Sequence, residues 1–178
     1  MPERSDATSR DRAWAWIEAQ WENVKRDAPD MPTDAYDDAL ARATANPGRV
    51  EVLHELALVA VTAAKRCATV RGTEFDDTLS GLYREIGADL ATLDQDSALA
   101  REIVTANWTA GGFGLLKPDS PYGDALYRAA VYQATAVLVC LEIGWIIGVA
   151  NSQWADARDV TYEAAAVELR RQIEEMGA

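Results

Sequence analysis

Between Ala125 and Ala150 only Arg128 and Glu142 carry a formal charge, and every other position in those 26 residues is apolar, small or uncharged. Such a segment has to be surrounded, because each Å² of apolar surface left in water forgoes about 25 cal/mol. Lipid is a poor match. A membrane span needs about 20 apolar residues, whereas the run 134–150, ATAVLVCLEIGWIIGVA, has Glu142 at its centre and Gln133 and Asn151 at its ends. Its flanks carry Asp124, Asp156 and Asp159 in place of the Lys or Arg cluster that orients a span. The pattern therefore predicts a buried core helix from about Pro121 to Ala150 with other helices wrapped around it.

Composition agrees with an all-α fold. Alanine, the residue that loses least entropy in a helix, occupies 33 of 178 positions. The six prolines stand at 2, 29, 32, 47, 118 and 121, so 49–117 and 122–178 contain no residue lacking a helical donor. A chain of this length buries enough surface to fold without metal or disulfide staples. The expectation is a single-domain bundle, 1–178, of six or seven helices around a central apolar helix at about 121–150, with 1–10 frayed.

Periodicity places the other helices. Trp14, Ile17 and Trp21 recur at helical spacing on the inner face of a first helix, about 5–28, while Trp16 falls about 200° from Trp14 and is expected on the outer side. Pro29 and Pro32 punctuate the chain, and Thr33 is placed to cap a short helix. The helix at about 49–70 reads as amphipathic, with Val52, Leu53, Leu56 and Val59 inside and Glu51, Glu55, Lys65 and Arg66 outside. A helix past Gly72 holds Phe75, Leu79, Leu82 and Ile86, and after a turn near Leu93–Asp96, capped by Asp94 or Asp96, another buries Leu99, Ile103 and Val104. The one long loop, 111–121, is rich in glycine and proline and carries Phe113; Ser120 and Pro121 then form an N-cap and first helical residue. Gly144 and Gly148 make a small-xxx-small pair that permits close helix approach, and Asn151 and Ser152 are expected to break the chain before a last helix.

Charge narrows the function classes. A net charge of −12 opposes binding to nucleic acid or to anionic membrane surfaces, and it leaves a basic protein partner possible. Cys67 and Cys140 lack a metal or redox spacing and read as buried thiols, and the polar first twelve residues contain no secretory apolar core, which points to the cytoplasm. No cofactor motif is present. Glu51 and His54 have the i, i+3 spacing of one half of a di-iron site, but His54 is the only histidine, so the second half cannot be built and the pair is a weak metal candidate, with His54 expected to be exposed and raised in pKa between Glu51 and Glu55. Ser80, Ser97, Ser120 and Ser152 stand outside any nucleophile-elbow pattern.

Two function classes remain. The leading expectation is a non-enzymatic interaction or regulatory module that self-associates as a homodimer or recruits a protein partner, motivated by the apolar central helix and an outward Trp16. The alternative is a small-molecule-binding bundle, possibly catalytic, in which Glu142 anchors a ligand in an aromatic pocket lined by Trp145, Tyr132 and Phe113.

Overall fold

The computed structural model describes residues 7–24, 33–89, 97–110 and 119–177. Within them the chain forms eight helices and no strand: α1 Ser9–Val24, α2 Asp34–Ala43, α3 Arg49–Arg71, α4 Phe75–Asp89, α5 Ser97–Thr109, α6 Pro121–Ala130, α7 Gln133–Arg158 and α8 Tyr162–Met176. Phe113 and most of its glycine-rich loop lie outside the described residues, as do Pro29, Pro32, the turn at Leu93–Asp96 and residues 1–6.

Local chemistry sets many of the helix ends. The hydroxyls of Thr33, Ser120 and Thr161 accept from the backbone N–H three residues on, at 3.1, 2.9 and 3.2 Å, which satisfies donors that the first turn of a helix leaves open. Pro121 follows Ser120 at the first helical position, where its missing N–H costs nothing. Gly72, at φ 66°, closes α3 in the left-handed region. Asp159 does the same for α7 at φ 55°, and Val160 N–H then reaches back to the Ala155 carbonyl at 3.1 Å.

The bundle has two central helices where the sequence suggested one. The largest helix–helix interface is between α3 and α7, and α3 is buried on nearly all sides, Ala57, Leu58, Val61, Ala64 and Arg66 included. The expected amphipathic split holds in part: Val52, Leu53, Leu56 and Val59 are buried while Glu51 and Lys65 stay exposed, but Arg66 is buried, and α5, α6 and α8 also pack on this helix. Helix α7 buries Val139, Ile143, Ile146 and Ile147, each contributing about 1.5–3 kcal/mol. It is long and apolar enough to cross a membrane by length and composition, and half of its most apolar window is buried in the bundle.

Three further expectations change. The core helix does not run unbroken from 121 to 150: Tyr132 is extended (φ −115°, ψ 136°), and α6 ends at Ala130. Neither proline nor glycine causes this. Buried Arg49 takes the Ala130 carbonyl with one guanidinium nitrogen (2.8 Å) and the Thr44 carbonyl with another, which ties the end of α6 to the start of α3. Asn151 and Ser152 do not break α7; Asn151 is buried and donates to the Tyr162 carbonyl (3.4 Å), so it tethers α8. Trp16 is 0% exposed, because α2 covers the outer side of α1, and its indole N–H donates to the Cys140 carbonyl at 3.0 Å.

Candidate functional site

On α7, residues 144, 148, 152 and 156 are four apart and so form one row along the helix. Gly144, Gly148 and Ser152 in that row are small, and they floor a cleft of about 220 Å³. Ile17, Gln20 and Trp21 of α1 form one wall, and Trp145, Val149 and Tyr162 complete the apolar lining. Glu85, Gln153 and Asp156 supply a polar rim.

The two glycines act differently. A Cβ at Gly144 would overlap the Gln20 carboxamide, whose Nε2 donates to the Leu141 carbonyl at 3.3 Å, so this position admits a buried side chain from α1. A Cβ at Gly148 would meet nothing within 4 Å. Gly148 thus does not serve close helix approach, and its missing side chain leaves open space in the cleft. Across the cleft the Trp21 and Tyr162 rings stack at 14°, and burial pushes the Tyr162 hydroxyl up to about 12, so it stays protonated at neutral pH.

Gln153 organises the rim. Its amide donates to Glu85 at 2.6 Å, while its carbonyl accepts from Arg71 at 2.6 Å and from the Cys67 thiol at 3.3 Å. One side chain thereby joins α3, α4 and α7. Among the described residues the lining contains two carboxylates, Glu85 and Asp156, and no Lys or Arg, so the rim favours a cation.

No protein-family model, curated protein or solved structure matches the chain. Its own residues must therefore carry the functional reading.

The expected site residues separate. Trp145 lines the cleft. Glu142 is buried, at 5% exposure, but turns from the cleft toward α4, where its charge adds to the burial that raises the Tyr83 hydroxyl. Tyr132 is 70% exposed at the start of α7, thirteen residues from Trp145 and so about 20 Å along the axis. Arg128 and Glu142 lie on different helices across the α6–α7 break, and Arg128 pairs on the surface with Asp124 and Glu102. Trp21, Gly148, Tyr162 and Glu85 were missed as a set. Only the four-residue spacing of Gly144, Gly148 and Ser152 was visible in the chain.

His54 also differs from expectation. It is partly buried, with Nδ1 2.7 Å from the Tyr122 hydroxyl, and loss of hydration lowers its pKa against the smaller opposing pull of Glu55. Asn107 completes a contact between α3, α5 and α6: it is fully buried and makes no well-aligned hydrogen bond among the described residues, yet it pulls the Tyr122 pKa down against the larger rise from burial. Glu51 is exposed, and Glu55 pairs with Arg10 at 3.1 Å. Among the described residues no group of three or more His, Cys, Asp or Glu side chains is arranged to hold a metal.

Proposed function

We propose that the protein is a small-molecule-binding helical module and that its ligand is a compact aromatic cation held in the α1–α4–α7–α8 cleft. The observation that carries this reading is the open space above Gly148, enclosed by Trp21, Trp145 and Tyr162. Its volume of about 220 Å³ lies below the roughly 300–1,000 Å³ of clefts that take drug-sized molecules, so one or two fused rings are the right size. Aromatic walls favour a flat apolar body, and a cation is drawn to the Glu85 and Asp156 carboxylates.

Calorimetric titration with tryptamine, indole and indole-3-acetate tests the reading. Tryptamine should bind most tightly and indole-3-acetate least, and Gly148→Leu should abolish binding while the helical circular dichroism signal is kept. Equal binding by Gly148→Leu, or no binding of tryptamine, would overturn it.

A second reading, self-association, rests on one observation. Tyr127, Val131 and Tyr132 are all exposed at the α6–α7 corner, and a second copy of the chain is the occupant this reading assigns to them. Trp16 no longer supports it, being buried under α2. Light scattering of the wild type and of Val131→Ser/Tyr132→Ser decides the matter: a dimer that the double variant splits supports self-association, and a monomeric wild type removes it.

A further inference from the structure

A second, larger groove of about 820 Å³ lies between α3, α7 and α8. In a chain of net charge −12 it has the opposite sign from its surroundings. Lys65, Arg66 and Arg158 line it together with Trp154, Gln172 and Met176. Its one acidic lining residue, Glu175, is engaged by Arg171.

Arg66 is the unusual member. It is 9% exposed and lies 3.8 Å from the centre of the Trp154 ring, where the planar guanidinium gains both stacking and cation–π attraction. Its Nη1 donates to the Ala165 carbonyl at 3.3 Å. Among the described residues, Nε and Nη2 are buried and have no hydrogen-bond partner. These two are not an arbitrary pair. They form the side edge of the guanidinium, whose parallel N–H bonds match the two oxygens of a carboxylate. Glu168 is near enough to act on Arg66 through space, but its oxygens bond Arg171 and Gln172. A buried cation with two open donors is costly, and an anion that completes the fork removes that cost.

We propose that this groove binds a small organic carboxylate, with the carboxylate on the Nε–Nη2 edge of Arg66 and the apolar body along Trp154 and Met176. Lys65 and Arg158 draw the anion in from solution. Both nitrogens are buried, so the ligand reaches them as a lining side chain moves aside. The site is on a different wall of α7 from the glycine-floored cleft and takes the opposite charge, so neither proposal depends on the other.

Phenylacetate titrated into the full chain, followed by the Trp154 indole resonance in NMR, tests it. Phenylacetate should bind the wild type and Gly148→Leu alike, which keeps this site separate from the cleft. Arg66→Lys, which retains the charge and loses the fork, should weaken binding at least about tenfold, and Arg66→Met should abolish it. Should Arg66→Met fail to fold, the lysine variant still decides. Acetate, with no apolar body, should bind at least about tenfold more weakly than phenylacetate. Unchanged phenylacetate binding in Arg66→Lys, absence of binding to the wild type at millimolar concentration, or equal affinity for acetate each overturns the proposal. So does a double-mutant cycle in which Arg66→Met and Glu168→Gln are strongly coupled without ligand, since the fork would then be filled by the protein's own carboxylate.

Discussion

Replacing Gly148 tests the candidate cleft through stability and binding together. The residue lies in the interior of α7, several turns from either end, where glycine costs about 0.5–1 kcal/mol relative to alanine because its backbone loses more freedom on folding. A Cβ there meets nothing within 4 Å, so the new methyl group incurs no clash to offset that gain. Gly148→Ala should therefore stabilise by about 0.5–1 kcal/mol, which for a domain of this length raises Tm by about 1–4 °C. Gly144→Ala differs, since its Cβ displaces the Gln20 carboxamide and loses a hydrogen bond worth about 0.5–1.5 kcal/mol, leaving a net effect near zero. Gly148→Leu should keep the fold and fill the space, so tryptamine affinity falls through the series Gly, Ala, Leu as thermal stability is held or raised. Scanning calorimetry with and without tryptamine measures both quantities. A lower Tm for Gly148→Ala would refute the reasoning, because it would mean that another side chain already occupies the space above the helix.

Three other outcomes follow from single residues. Trp16→Ala should destabilise by about 3–5 kcal/mol in equilibrium urea unfolding, against the near-zero cost of truncating an exposed ring; a loss under 1 kcal/mol would show that α2 does not seal α1. His54 has a folded-state pKa below its ordinary 6.5, so the unfolded chain binds more protons as pH falls through that value, and stability should drop progressively from about pH 6.5 downward. His54→Gln should flatten that part of the profile of urea midpoint against pH, and an unaltered slope would remove His54 as its source. Tyr132→Ser should change stability by no more than about 0.5 kcal/mol and leave tryptamine affinity intact, because Tyr132 is far from the cleft; a weakened titration would contradict that placement.

The proposal of a ligand in place of self-association turns on the burial of Trp16. An outward tryptophan on α1 argued for a contact surface, but a helix has as many faces as it has neighbours. Helix α2 supplies a neighbour that the 3.6-residue period cannot reveal. The carboxylate that sequence context selected, Glu142, is buried, yet the row Gly144–Gly148–Ser152 meets α1 and α8 while Glu142 meets α4.

The all-α class, the caps at Thr33 and Ser120, the stop at Gly72 and the burial of the 139–150 segment follow from the chain alone. Each depends on interactions within a few residues or on the sheer quantity of apolar surface, and both are written in local sequence. Tertiary structure decided the rest. At the break before Tyr132, Arg49, about eighty residues earlier in the chain, holds the end of α6. Asn151 lies inside α7, and its side-chain amide donates to the Tyr162 carbonyl on α8. The cleft itself exists because Trp21, Glu85 and Tyr162, distant in sequence, converge over Gly148, whose missing side chain they do not fill. Periodicity states which residues must leave water, and only the packed helices determine which of them touch and where a space is left between them.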